Sequence, residues 1–151
     1  MSEFNVATTT HTGITVANLD RALSFYRDVL GFEVTEKHAA PGHLIDAVTG
    51  LTGAQVEVAN VHAPGHVIEL LCYSKPDDRR ISDLRPCDPG FVHVAFQVDD
   101  LNAVLRAVGD AGFEIMGEAH TVAQGARKGG RVAYVRDPDG TVLEFQQPPP
   151  G

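Results

Sequence analysis

Cysteine and basic charge are the two things this chain has little of. Its only cysteines, Cys72 and Cys87, form no C-x-x-C or similar spacing, which argues against a thiolate metal site and for a reduced, cytoplasmic protein. Cys72 alternates with Ile68 and Leu70 and is expected to be a small core residue. Lysine and arginine number twelve against twenty acidic residues, giving a net charge of −8 that opposes affinity for phosphate backbones or anionic lipid. Nucleic acid is therefore not an expected partner. No stretch approaches the ~20 apolar residues of a membrane span, and Met1–Thr10 has no basic region leading into an apolar run, so neither a membrane segment nor a signal peptide is expected.

What the chain does have is an internal duplication. Phe91–Asp100 reads F-V-H-V-A-F-Q-V-D-D, and His11–Asp20 reads H-T-G-I-T-V-A-N-L-D. Alternation at Val92, Val94, Phe96 and Val98 predicts a half-buried strand with His93 on the opposite face, where His11 lies relative to Ile14 and Val16. Each copy then runs through a helical period to Gly-Phe-Glu, at Gly31 and Gly112. The two offsets differ, 93 − 11 = 82 and 112 − 31 = 81, so one residue was gained or lost within the helix region. At 151 residues the chain fits one domain made of two similar halves, about 8–75 and 90–147.

In the first half, strand His11–Val16 leads to an N-cap at Asn18, a helix over Leu19–Leu30 closed by Gly31, and a strand over Phe32–Lys37. A loop over Ala39–Gly53 is expected to hold a short helix around Leu44–Thr49, and a hairpin joins Gln55–His62 to His66–Tyr73 through Ala63-Pro64-Gly65. Polar, proline-punctuated Ser74–Gly90 connects the halves and is a candidate lid. The second half predicts strand Val92–Val98, a cap at Asp99 or Asp100, helix Leu101–Gly109 and strand Phe113–Gly117. A loop over Glu118–Gly130 follows, then a hairpin of Arg131–Arg136 and Thr141–Gln146 around Asp137-Pro138-Asp139-Gly140. The order is βαβββ twice.

Four residues at equivalent mid-strand positions, His11, Glu69, His93 and Glu144, lie away from their apolar neighbours. Halves related by a pseudo-twofold axis would gather them into an N₂O₂ set suited to one divalent ion such as Zn²⁺, Ni²⁺, Co²⁺, Mn²⁺ or Fe²⁺. Four side chains and no thiolate would leave coordination open, as catalysis requires. His38, His43, His62, His66 and His120 are expected at the surface. Arg79, Arg80, Arg85, Arg127, Lys128 and Arg131 are basic residues placed to meet a carboxylate or phosphate at the mouth of such a site.

The opening H-x-G-I-x-V-x-N-L-D-R-A-L-x-F-Y-R-D-V-L-G-F, the strands V-I-E-L-L and H-V-A-F-x-V-D-D-L, and the closing D-P-D-G-x-x-x-E-F resemble the vicinal oxygen chelate superfamily over nearly all of residues 8–147. That superfamily includes glyoxalase I, methylmalonyl-CoA epimerase, extradiol dioxygenases and fosfomycin resistance proteins. The resemblance implies an α+β fold whose two modules form a curled, half-open mixed sheet with helices outside. By position, His11, Glu69, His93 and Glu144 match the family's four metal positions. Glutamate at Glu69 is glyoxalase I-like, whereas the epimerases usually place Gln there, and the dioxygenase and fosfomycin types use only the other three positions. The resemblance further implies proton transfer next to a carbonyl by Glu144 or Glu69, with Glu57 and Asp46 as candidates for a free base. Its expected substrate is a small oxygenated molecule, a CoA thioester in the epimerase version, and its expected assembly a homodimer. An extradiol-type dioxygenase and a metal-free drug-sequestering protein are the alternatives.

Overall fold

The computed structural model describes residues 4–151. Contacts divide the chain into two compact units, one ending at Arg79 and the other spanning Arg80–Gly151. In the first, β1 (Thr12–Thr15) leads to Asn18, whose Oδ1 accepts the Arg21 backbone N–H at 2.9 Å and starts helix α1 (Leu19–Ser24). The same helical run continues as one π turn over Phe25–Val29, with Leu30 N–H reaching back five residues to the Phe25 carbonyl at 3.2 Å. This explains the unequal offsets: 31 − 11 = 20 residues separate histidine and glycine here, and 112 − 93 = 19 in the second copy. A π turn is how a helix absorbs one inserted residue without changing where it ends.

The first sheet has the order β1-β5-β4-β2, where β2 is Glu33–Val34, β4 Gln55–Ala63 and β5 His66–Lys75; β3 (His38–Ala39) also pairs with β4. The strand expected over Phe32–Lys37 is thus two short pieces. Thr35 interrupts the ladder: its Oγ1, rather than a backbone carbonyl, accepts the Asn60 N–H at 2.9 Å. The hairpin forms as expected, with Gly65 at φ 72° supplying the left-handed turn residue. One face of this sheet buries Ala59, Val61, Ile68 and Leu70, and α1 contributes Leu19 and Leu23 to the same core. Cys72, expected in that core, is only half-buried, its Sγ 3.6 Å from the Ala17 carbonyl at the sheet's rim. The expected short helix is α2 (Gly42–Thr49), which sets Ile45 against Val56, Val58, Leu71 and Tyr73 on the other face.

The second unit repeats the plan with β6 (His93–Gln97), α3 (Leu101–Asp110), β7 (Glu114–Thr121), β8 (Arg131–Arg136) and β9 (Val142–Gln147), in the order β6-β9-β8-β7. Asp100 caps α3 through the Ala103 N–H at 3.0 Å. Leu101 and Val108 of α3 are fully buried, as are Val135, Leu143 and Phe145 of the strands. Each such side chain contributes about 1.5–3 kcal/mol. Both sheets are mixed and neither is closed: in each, the first and last strands pair in parallel and the rest are antiparallel. Two expectations change. Val92 precedes the strand and is 79% exposed instead of belonging to the buried face. Strand β7 runs on to Thr121, because a bulge after Met116 lets four steps of β7 match two of β8 and returns the chain to register at His120.

The connecting segment is anchored to the β8–β9 hairpin. Arg136 Nη2 donates to the Leu84 carbonyl at 2.9 Å, and Ser82 lies against the turn glycine Gly140. A Cβ on Gly140 would stand 2.0 Å from the Ser82 carbonyl oxygen, and φ there is +89°. Gly140→Ala is therefore expected to destabilise the protein by about 2–4 kcal/mol, lowering Tm by roughly 5–15 °C in a thermal unfolding measurement.

Candidate functional site

The parallel pairs fix where the histidines and glutamates meet. In the first unit Gly13 lies opposite Glu69, so His11, two residues earlier, is on the Glu69 face. His11 Nε2 is 3.6 Å from Glu69 Oε2, and both side chains are partly exposed. In the second unit Ala95 lies opposite Glu144, and His93 is again two residues earlier. The separation there is 2.9 Å, from His93 Nε2 to Glu144 Oε2.

The two pairs have different surroundings. Glu144 is 8% exposed, and its second oxygen, Oε1, accepts the Gln146 amide N–H at 2.8 Å. Tyr134, directly across from it on β8, brings its ring centroid to 4.9 Å from that of His93. Burial, reinforced by the charge of Glu144, pushes the Tyr134 phenol above its ordinary range, so the hydroxyl stays protonated at neutral pH. Glu144 also lines two cavities. One of about 530 Å³ is bounded by Pro86, Met116, His120, Val132 and Tyr134. The other, about 180 Å³, lies among Gln97, Arg127, Val132, Gln146 and Pro149.

Two donors bound to one ion at about 2.1 Å stand about 3.0 Å apart at right angles and about 3.4 Å apart in a tetrahedron. Both His–Glu separations are of that size, so each pair has the donor chemistry and spacing of neighbouring ligands. Among the described residues no three His, Cys, Asp or Glu side chains are grouped so as to hold a metal ion.

The free-base candidates have other roles or positions. Asp46 uses both oxygens, at 2.8 Å each, to hold the Gly53 and Ala54 N–H groups of the loop after α2. Glu57 lies opposite Cys72 in the ladder and points to the face away from Glu69. His38, His43 and His62 are exposed as expected, His66 bonds Thr12 Oγ1 at 2.8 Å, and exposed His120 lines the larger cavity. Gln146 and Tyr134 were not singled out from the sequence. The signal for Gln146 was its parity with Glu144; Tyr134 needs the β8–β9 register.

The profile of the Glyoxalase/Bleomycin resistance protein/Dioxygenase superfamily matches residues 8–145. The chain belongs to that superfamily. It is 31% identical over 148 residues to a 2-epi-5-epi-valiolone epimerase from Actinomyces sp., covering 93% of this chain and 79% of the relative. It is 30% identical over 140 residues to a lactoylglutathione lyase from Haemophilus influenzae, covering 89% and 88%. Among solved structures, a glyoxalase family protein from Bacillus cereus superposes with a TM-score of 0.82 at 25% identity, covering 99% of both chains. The glyoxalase fold accounts for the paired modules and their parallel first and last strands.

Within this glyoxalase-type chain Asp46 is a loop-holding residue. Asp46→Ala leaves two backbone N–H groups without their acceptor and is expected to lower stability by about 2–4 kcal/mol. Thermal unfolding checks this, with Tm expected to fall by roughly 5–15 °C.

Proposed function

We propose that the chain is a divalent-metal-dependent isomerase, epimerase or lyase that moves a proton on a carbon next to a carbonyl. His11, Glu69, His93 and Glu144 together would hold one ion. The observation carrying this reading is the repeated register: in both units histidine stands two residues before the partner of glutamate, with donor separations of 3.6 and 2.9 Å. Relatives named as an epimerase and a lyase support it. When bound, the ion would take up substrate oxygens and acidify the adjacent C–H. A carboxylate, Glu69 or Glu144, takes that proton; in an epimerase the other carboxylate delivers a proton to the opposite face of the same carbon, and in a lyase or isomerase of the glyoxalase type the first returns its proton to the neighbouring carbon. The Tyr134 hydroxyl stands 3.5 Å from His93 Nε2, and the cavity walled by Met116 and Val132 receives the less polar part of a small oxygenated substrate.

Protein purified without chelator is expected to carry close to one equivalent of Zn, Ni, Co, Mn or Fe by elemental analysis, lost in His93→Ala. The loaded protein should exchange the α-proton of a 2-hydroxy-carbonyl hemithioacetal or a 2-methyl-branched acyl thioester with solvent deuterium. Absence of both metal and exchange, with tight binding of a bulky aromatic ligand, would replace this reading by that of a sequestering protein.

We propose also that the chain pairs as a homodimer in the cytoplasm. Strands β1, β2, β6 and β7 end their sheets and leave edges to be covered. No helix among the described residues is long and apolar enough to cross a membrane. Sedimentation at micromolar concentration should give twice the chain mass; a monomer would remove the dimer from this reading.

A further inference from the structure

Glu69 and Glu144 occupy equivalent places, yet the positions two residues beyond them differ: Leu71 in the first unit, Gln146 in the second. The Gln146 side chain is oriented from both ends. Its Oε1 accepts from Arg127 Nη1 at 3.0 Å, and its Nε2 donates to Glu144 Oε1 at 2.8 Å. Arginine is only a donor and an ionised carboxylate only an acceptor, so turning the amide over would make both contacts repulsive. Arg127 is itself set in place by a closed loop, in which Val122 N–H bonds the Gly130 carbonyl and Gly130 N–H bonds that of Arg127, at 2.8 and 2.9 Å. Leu71 has no donor to offer Glu69 and packs instead against the Ile45 cluster.

From this we infer that Gln146, oriented by Arg127, is a positioning residue that holds Glu144 on His93, a role that Leu71 cannot fill beside Glu69. The inference rests on the metal reading for its consequence and on the protein's own hydrogen bonds for its substance. With Oε1 taken by the amide, Glu144 presents Oε2 to His93, and a proton on Nε2 occupies the place an ion would take between them. Partners of this kind orient metal ligands and tune them, and their loss weakens metal binding about 10–100-fold.

The test uses Gln146→Leu, which copies the first unit's leucine, the near-isosteric Gln146→Glu, and Arg127→Ala on the exposed loop, each checked by thermal unfolding to be fully folded at the temperature of the measurement. In metal-free protein labelled with ¹⁵N-histidine, the His93 imidazole N–H is expected to exchange slowly with solvent and that of His11 quickly. Both Gln146 variants should speed His93 exchange at least about tenfold, Arg127→Ala by less, and none should change His11. Co²⁺ affinity should fall about tenfold or more in both Gln146 variants. His93 exchange within twofold of wild type in both Gln146 variants, or equal protection of His11 and His93 in the wild type, would overturn the inference. If wild-type protein takes up no Co²⁺, the metal reading falls and the imidazole exchange alone decides the role of Gln146.

Discussion

Everything at the site depends on the parallel pairing of the first and last strand of each unit. Parallel neighbours cannot be joined by a tight turn, so a long crossover, built here of helices and further strands, must lie between them in sequence. That is why residues 58 apart in the first unit, 69 − 11, and 51 apart in the second, 144 − 93, come to lie side by side. Register then does the rest. With a side-chain period of two, histidine two positions before the partner of glutamate faces the same way, and a slip of one residue in either ladder would turn one member of the pair into the core.

The two carboxylates meet this constraint under different electrostatic conditions. Glu69 is partly exposed and water can share its charge. Glu144 is buried, and an ionised carboxylate there costs several kcal/mol unless donors surround it. His93 on one oxygen and the Gln146 amide on the other supply them. Removing either donor therefore disturbs the fold's energetics as well as the site.

The faces on which His11, Glu69, His93 and Glu144 lie were legible in the sequence, because strand alternation and the repeat both report on them, but the two histidines, expected mid-strand, stand at strand starts: His11 just before β1 and His93 as the first residue of β6. The one-residue difference between the two helix regions was legible too, and it is a π turn in the structure. Cross-strand relations were not. Thr35 reads as one more strand residue until its hydroxyl is seen replacing a ladder carbonyl, and Glu118–His120 read as loop because a bulge breaks their alternation. Asp46 looked free as a base because its two partners, Gly53 and Ala54, follow seven and eight residues later as backbone groups, which sequence pattern does not display.

Duplication gave the two units one topology, and later substitution made them unequal. In the first, α2 brings Ile45 down over the end of the Glu69 face, and Leu71 and Tyr73 pack against it. The second has no helix between β7 and β8, the stretch where a counterpart of α2's chain segment would begin, and the corresponding face around Glu144 opens into two cavities. An apolar Leu71 suits packing against Ile45, and a polar Gln146 supplies the donor that the buried carboxylate of Glu144 needs. The same backbone thus carries a partly exposed pair beside an apolar cluster in the first unit and a pair framed by an amide, a phenol and cavity in the second.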